Sequence, residues 1–180
     1  MSALIPQPGV IKNYNLYGVD ETGFQKYIGA GGEITLPTFT YMGDTANHAG
    51  LMGQTEFTAP GMVQTVNMDI PFPTLTMGYF TMMNETINSH VLIFGSQVER
   101  DENTGFIQEH SVMAKIGGMP KGKNFGTMGK GRFSNASNQL IVHNFLFMRD
   151  GIVWWHWDLF RAIFIENGID RNAITRALIG

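Results

Sequence analysis

The chain contains 180 residues, with 12 Lys and Arg against 15 Asp and Glu, which gives a formal net charge of −3. This balance excludes a protein that is basic overall and holds nucleic acid through its whole surface, although a local basic patch is compatible with it. The absence of cysteine excludes disulfide scaffolds, thiolate zinc sites, iron–sulfur clusters and cysteine nucleophiles.

The length suits a single domain, so we take residues 1–180 as one domain that begins with an N-terminal arm over residues 1–9. Charged residues make up only 15% of the chain, against about 25% in ordinary soluble domains. This composition fits either a subunit covered by its neighbours or a β-protein with many turns. The sequence lacks a secretory signal and an apolar run of membrane-spanning length, so we expect a cytoplasmic origin and no membrane contact.

Alternating apolar and polar residues, separated by turn signals, predict an antiparallel, mainly β domain. The first predicted hairpin joins residues 13–17 to residues 24–28 through a turn at residues 20–23. Residues 43–61 follow as a long segment of small and polar types, which we predict to be a projecting loop. Such a length without regular structure is uncommon in a compact domain, so the loop is either disordered or ordered by a partner.

Residues 62–72 are predicted to form a strand with one wet face. Met62, Val66, Met68, Ile70 and Phe72 are apolar at even positions, whereas Thr65, Asn67 and Asp69 alternate with them. After Pro73, apolar residues recur every four positions from Leu75 to Ile87, which predicts a helix of about four turns lying on the sheet. This is the one flanking α-helix that the pattern indicates.

A second hairpin is predicted from residues 91–98 and 106–116 around the turn at residues 101–105. Residues 117–131 contain six glycines and three lysines, and we predict a second projecting loop without regular structure. Lys121, Lys123, Lys130 and Arg132 make it basic. It is either a solvated charged loop or a site of weak phosphate contact. The segment nearly matches a phosphate-binding P-loop, but we do not predict one, because both the hydroxyl residue and the helix that such a loop needs are missing.

The C-terminal third predicts a third hairpin, between residues 138–149 and residues 152–165. Asp150-Gly151 between these runs is a strong type I′ turn signal. Residues 166–180 are predicted to be a C-terminal tail. Within the last strand, Trp155 and Trp157 are expected on an inner face and Trp154 outside.

No catalytic, cofactor or metal site follows from the sequence. The five histidines show no metal-ligand spacing, and the serines and threonines lack a nucleophile motif. His156 and Asp158 lie two residues apart on one strand face, which leaves an acid–base enzyme as a weak hypothesis. A second alternative is a monomeric β-sandwich that binds a phosphorylated or sugar ligand through Trp154 and the basic loop.

The order of these features resembles the major tail tube protein of contractile-tailed bacteriophages, in the P2-like branch. The resemblance covers nearly the whole chain, from about Pro8 to Gly180. The order that carries it is a strand ending at residues 33–40, the long loop, a strand, the helix, two strands around the Lys-rich loop, and the terminal hairpin. Its most specific part is the last 34 residues, which contain Phe147, Asp150-Gly151, Asp158, Ile165, the Asn167-Gly168-Ile169-Asp170 run, Arg171 and Arg176.

The resemblance implies a non-enzymatic structural protein: a small β-sandwich with a flanking helix that forms hexameric rings. Sheets joined between subunits would form a continuous β-barrel around a channel that DNA crosses without specific binding, and stacked rings would form the inner tube of the tail. The implied partners are further copies of the chain, the sheath, and the tail terminator, baseplate and tape-measure proteins. The implied location is the virion tail, assembled in the host cytoplasm, and no cofactor is implied.

Three groups of residues are candidates for these roles. The candidates for lining the channel are Thr65, Asn67 and Asp69, if residues 62–72 form an inner strand. The candidates for contact with the next ring, all in the loop at residues 43–61, are Asp44, Asn47, His48, Gln54 and Glu56. The third group is the basic loop.

Overall fold

The computed structural model describes residues 9–19, 25–27, 32–46, 52–82, 84, 86, 88–101, 105–132 and 134–179. Most of them lie in eleven strands, and the two helices in the described ranges are short. The strands are β1 Val10–Val19, β2 Gln25–Tyr27, β3 Tyr41–Ala46, β4 Thr55–Val63, β5 Val66–Phe72, β6 Ser89–Arg100, β7 Ile107–Asn124, β8 Ala136–Arg149, β9 Ile152–Asp158, β10 Ile163–Glu166 and β11 Ile169–Asp170; the helices are α1 Met77–Met82 and α2 Ala173–Ile179.

Nine strands form one antiparallel sheet, in which the order is β11-β10-β9-β8-β7-β6-β1-β2 and β5 also pairs with β8. Strands β3 and β4 form a separate two-stranded sheet. The result is sandwich-like with one flanking helix, and the described strands do not close into a barrel. The prediction of a mainly β, antiparallel fold is therefore confirmed.

The predicted hairpins are present. Strand β1 pairs with β2, and β6 pairs with β7 over its whole length. Between β8 and β9, Asp150 has φ 49° and Gly151 has φ 77°, and Arg149 pairs with Ile152. Two consecutive positive φ angles are the conformation of a type I′ turn, which Asp-Gly adopts readily. The turn at residues 20–23 lies outside the described residues.

Strand β8 changes its neighbour half-way along one edge. Its first half, up to Val142, pairs with β5, and its second half, from Asn144, pairs with β9. On the other edge of β8, strand β7 extends beyond β6, because the pairing of β6 with β7 ends at Ser89 and Gly118. The end of the sheet at residues 119–124 therefore consists of β7, β8 and β5 alone among the described strands.

The core lies on one face of the large sheet. Val66, Met68, Ile70 and Phe72 of β5 are all buried, as their alternation predicts. Helix α1 covers this end, where the rings of Phe72 and Tyr79 meet edge to face at 5.4 Å. At the other end, the ring of Phe39 packs against Phe145, Trp155 and Trp157. The core thus fixes β5, α1 and the segment before β3 against the long strands.

Three predicted elements are wrong in extent. Helix α1 has six residues and not the four turns predicted, and it ends at Met82. The carbonyl of Met82 accepts a hydrogen bond from the hydroxyl of Ser89 at the start of β6. The strand predicted over 62–72 is interrupted after Val63, so Met62 lies on β4 and is half exposed. The strand predicted over 152–165 breaks at Asp158 and returns as β10, which places Phe164 in the core.

The prediction of a loop over residues 43–61 is also wrong, because most of this segment is the β3–β4 hairpin. Asp44 pairs with Phe57 and Thr45 with Glu56, so the described strands of this segment pair with each other. Its base belongs to the core, where the ring of Tyr41 meets that of Phe164 at 6.1 Å. The described part of the hairpin resumes at Met52.

Residues 117–124 are likewise part of strand β7 and not of a loop. A β-carbon at Gly118 would lie 2.8 Å from the carbonyl oxygen of Ile141, and one at Gly117 would lie 3.2 Å from Cβ of Asn144. The glycines therefore permit close approach of β7 to β8 at a register shift between these two residues. The tail predicted over 166–180 contains the β10–β11 hairpin and helix α2, which Arg176 anchors through a 2.8 Å hydrogen bond to the carbonyl of Ala162.

Candidate functional site

The exposed side chains of β5 border a groove at the edge of the large sheet. Asn67 and Asp69 are exposed on β5, and Thr65 is exposed in the two-residue connection that precedes it. The groove has a volume of about 540 Å³. Its lining consists of Thr65, residues of β5, Ser137 of β8, and Glu33, Thr35, Leu36 and Thr38. The three predicted channel-lining residues therefore share one surface, although Thr65 is not in a strand.

Lysine side chains of β7 reach the same region. Nζ of Lys121 donates a 3.0 Å hydrogen bond to Oδ1 of Asn67, across the width of β8. Lys123 and Asp69 line a second depression, of about 390 Å³. The structure thus joins two groups of candidate residues that the sequence analysis treated separately. The two groups are close because both β5 and β7 pair with β8. No local sequence motif indicates this pairing, since it depends on the order and register of the strands.

The basic segment is divided between two elements. Lys121 and Lys123 are exposed on the end of β7, whereas Lys130 and Arg132 lie in a turn that the 3.2 Å main-chain hydrogen bond from Arg132 to Gly129 closes. The prediction that these four residues lie in one loop is therefore wrong, because two of them are on a strand and two are in a turn. All four side chains are nevertheless exposed.

Three of the five candidates for contact with a next ring lie on the β3–β4 hairpin or beside it. Asp44 is on β3 and Glu56 on β4, and Gln54 directly precedes β4; all three are exposed. Asn47 and His48 lie outside the described residues. The exposed ring of Phe57 adds an apolar element to this surface that the sequence analysis did not single out.

In the His156–Asp158 pair, the carboxylate of Asp158 is engaged in hydrogen bonds that stabilise the local fold. Oδ2 of Asp158 accepts a 2.7 Å hydrogen bond from the amide of Asn144, and Oδ1 accepts one of 2.9 Å from the main-chain N–H of Arg161. These bonds hold the turn between β9 and β10. Burial lowers the pKa of His156, which favours its neutral form. Within the described ranges, no cluster of three or more metal-ligating side chains occurs.

The two parts of the alternative ligand site are far apart. Trp154 is exposed, and its ring lies 5.2 Å from the guanidinium carbon of Arg149, beside the β8–β9 turn. Lys123 pairs with Asn138 at the opposite end of β8. Asn138 and Phe147, whose ring contacts Trp154, are nine positions apart on β8, which corresponds to about 30 Å at ~3.3 Å per residue. One ligand of ordinary size does not span that distance.

A charged cluster that the sequence analysis missed surrounds the β8–β9 turn. Arg149 binds Glu99 at 2.8 Å, and Nδ1 of His110 donates to Asp150 at 2.7 Å. The hydrogen bond from Arg149 lowers the pKa of Glu99, and the one from His110 lowers the pKa of Asp150. Hydrogen bonds between acidic and basic side chains therefore hold the ends of β6, β7 and β8 together.

Two histidines, on the strands β6 and β8 that flank β7, have buried ring nitrogens without a hydrogen-bond partner. These atoms are Nδ1 of His90 and Nε2 of His143. Burial lowers the pKa of both rings. The charge of Lys115 lowers the pKa of His90 further, and the pKa of His143 is lowered further by His90 when that ring is protonated, while Asp158 opposes the shift at His143. Both rings are therefore held in the neutral form.

The sequence model of the family described as phage tail tube protein FII matches residues 8–180. The chain belongs to this family. The predicted resemblance to tail tube proteins is thereby confirmed, and the chain is a structural protein of a phage tail or a phage-tail-like particle.

A solved structure shares the fold of this tail tube family member. It is a chain of the cryo-EM structure of the anti-feeding prophage (AFP) baseplate, 6-fold symmetrised, with a TM-score of 0.55 and 8% sequence identity. The match covers 82% of this chain and 100% of that chain. No curated protein matches the sequence significantly. In the described ranges, no helix has the length and apolar character needed to cross a membrane.

Proposed function

We propose that the chain is the subunit of the inner tail tube, in which six copies form a ring and the rings stack around a channel. The observation that carries this proposal is the family match over residues 8–180, nearly the whole chain. The solved baseplate chain with the same fold belongs to a 6-fold symmetrised particle, which favours six copies. The tube role makes the protein non-enzymatic.

The open edges of the large sheet support assembly. A sheet with unpaired edges is prone to uncontrolled association unless other chains or blocking residues cover those edges. Pairing between identical subunits in a closed ring satisfies the main-chain groups and ends the association. The low charged fraction of 15% agrees with a subunit whose surfaces are largely covered by its neighbours.

The polar surface of β5 is the proposed lining of the channel, with Thr65, Asn67 and Asp69 toward the lumen. A lumen rich in free lysine and arginine would hold DNA through its phosphates. Asn67 accepts a hydrogen bond from the exposed Lys121, and the carboxylate of Asp69 lies on the same face of β5, so the cation is surrounded by polar and acidic groups. The lining therefore lets DNA or another cargo pass without specific binding.

The β3–β4 hairpin is the proposed contact with the adjacent ring. It projects as a separate two-stranded sheet, and Asp44, Gln54, Glu56 and Phe57 are exposed on or beside it. The partners outside the tube are the sheath around it, the baseplate and terminator at its ends, and the tape-measure protein within it. The protein would then be found in the virion tail after assembly in the host cytoplasm.

Negative-stain electron microscopy of the concentrated, purified protein tests the proposal. Six-membered rings or hollow filaments are expected. A protein that remains monomeric at every concentration, without rings or filaments, would contradict it.

The lumen assignment has its own test because the chain contains no cysteine. In assembled filaments, a cysteine introduced as Asn67→Cys should react with a small maleimide but not with a maleimide on a long polyethylene glycol chain. The unassembled subunit should react with both. Equal labelling of filaments by the two reagents would place Asn67 on the outside.

A further inference from the structure

We infer that the turn between β9 and β10, residues 159–162, is a pH-sensitive switch that the protonation of His143 on β8 operates. While the ring of His143 is neutral, the turn is closed on β8, and the uptake of a proton by that ring opens it. The inference goes beyond the proposed tube function and does not depend on it, because it concerns a conformational change within one subunit.

The turn packs directly on His143. The main-chain N–H of Leu159 donates a 2.9 Å hydrogen bond to the carbonyl of His143, and the centroids of the Phe160 and His143 rings are 5.0 Å apart. The His143 residue is only 8% exposed, and its Nε2 is buried without a hydrogen-bond partner. Protonation gives both ring nitrogens an N–H, and a buried, charged N–H without an acceptor is costly. The closed turn therefore requires the neutral ring.

The carboxylate of Asp158, whose charge favours a protonated His143, already accepts hydrogen bonds from two other donors. The side-chain amide of Asn144 on β8 donates to one oxygen at 2.7 Å, and the main-chain N–H of Arg161 in the turn donates to the other at 2.9 Å. A protonated His143 competes with these donors for Asp158. Protonation of the ring and closure of the turn are thus opposed.

Most of the influences on the ring of His143 disfavour its charge. The charged and titratable groups on the neighbouring strands and in the turn are His90 on β6, Lys115 on β7, His156 and Asp158 on β9, and Arg161. Burial lowers the pKa of His143 most, a protonated His90 lowers it further, and Asp158 opposes both. Opening exposes the ring to water and returns its pKa toward the ordinary value of 6.5. Acid therefore favours the open turn.

The turn also has a conformation that favours opening. Ala162 has φ 50°, in the left-handed region that residues with a side chain adopt only at a cost. Its carbonyl accepts a 2.8 Å hydrogen bond from the guanidinium group of Arg176 in α2. When the contacts at His143 and Asp158 are lost, Ala162 is free to relax. Opening therefore releases strain and loosens the attachment of α2 through Arg176.

Hydrogen exchange of the turn amides tests the switch in the full chain, kept dilute enough to remain unassembled. The reporters are the main-chain amides of Leu159 and Arg161, whose hydrogen bonds close the turn. Dividing the intrinsic rate at each pH by the measured rate gives a protection factor that reports opening alone. At pH 5.5, proton binding at a pKa of 6.5 favours the open state by a factor of about 11, so both protection factors should fall by up to about ten-fold from their values at pH 7.5.

Three variants assign this fall to its residues. His143→Gln keeps a polar side chain that does not titrate, and its protection factors should be the same at both pH values. His156→Gln is the matched control, because burial also lowers the pKa of His156, and it should show the same fall as the parent. Asp158→Ala removes both bonds that close the turn, so its protection factors should be low already at pH 7.5 and fall less in acid.

Constant protection factors in the parent between pH 7.5 and 5.5 would overturn the switch. A fall that persists in His143→Gln, or that disappears in His156→Gln, would also overturn it. Low concentrations of urea separate local opening from unfolding of the whole chain, because local opening exposes little surface and responds weakly. If the turn amides and the amides of β7 show equal protection and equal dependence on urea, the turn opens only when the whole chain unfolds, and the inference is wrong.

Discussion

The side-chain amide of Asn138 donates a 3.1 Å hydrogen bond to the main-chain carbonyl of Tyr79, and both residues are fully buried. This bond ties strand β8 to helix α1 at the point where the helix covers the core. A buried carbonyl at the end of a short helix needs a partner, because its desolvation is otherwise uncompensated. Asn138 is therefore a structural residue, although an asparagine in a strand gives no sign of this in the sequence.

Replacing this residue in the variant Asn138→Ala should destabilise the protein by about 2 kcal/mol, since it leaves the carbonyl of Tyr79 without a donor and opens a small cavity. The expected fall in melting temperature is about 4–8 °C for a chain of this size. Thermal unfolding followed by circular dichroism measures it. Gln139→Ala, one residue along β8 on the opposite face, should change the melting temperature much less.

The positive φ of Gly151 predicts a second stability difference. Gly151 has φ 77°, and a β-carbon there would meet nothing within 4 Å, so Gly151→Ala isolates the cost of the left-handed conformation. That cost is about 1–2 kcal/mol for a residue with a side chain. Gly53→Ala is the matched control, because Gly53 is equally uncrowded and lacks a positive φ. Equal unfolding midpoints in urea for the two variants would contradict this explanation.

Stability should fall in acid as the carboxylates around the β8–β9 turn take up protons. The hydrogen bond from His110 lowers the pKa of Asp150 from 3.8, so the folded state releases this proton more readily than the unfolded state. The contribution is present above about pH 4, the unfolded pKa, and is lost as the pH falls through the lower folded pKa. Asp150→Asn should be less stable than the parent at pH 7, and the difference in melting temperature should narrow below pH 4. A constant difference would argue against the linkage.

The buried histidines predict a separate loss of stability at milder pH. Burial lowers the pKa of His143 and His90 from 6.5, so the unfolded state binds protons there while the folded state does not. Stability therefore falls as the pH drops below about 6.5 toward the folded pKa values. Between pH 7.5 and 5.5, the melting temperature of His143→Gln should fall less than that of the parent, and His90→Gln/His143→Gln should fall least. Parallel curves would contradict the assignment.

Shortening the β3–β4 hairpin should separate folding from ring stacking. Replacing residues 45–56 by Asn-Gly would connect the paired residues Asp44 and Phe57 through a type I′ turn and keep Tyr41 and Val63 in the core. The shortened protein should unfold with a melting temperature close to that of the parent but form isolated rings in place of filaments. Filaments of normal length, seen by electron microscopy, would refute the inter-ring role of the hairpin.

Local sequence patterns determined much of the fold. The alternation of Val66, Met68, Ile70 and Phe72 assigns the buried face of β5 without reference to any other strand. Asp150-Gly151 sets the type I′ turn because few other residue pairs adopt two positive φ angles readily. The order of such local signals along the chain was also sufficient to indicate the tail tube family.

The tertiary structure alone decided where distant residues meet. The carbonyl of Met82 at the end of α1 accepts a hydrogen bond from the hydroxyl of Ser89 on β6. The glycines at 117 and 118 lie in a strand that β8 approaches closely. The contacts of Lys121 with Asn67 and of His110 with Asp150 join residues 54 and 40 positions apart in the chain. Periodicity and turn propensity report only on neighbours within a few residues, whereas these contacts depend on strand order and register, which are set by the packing of the whole sheet.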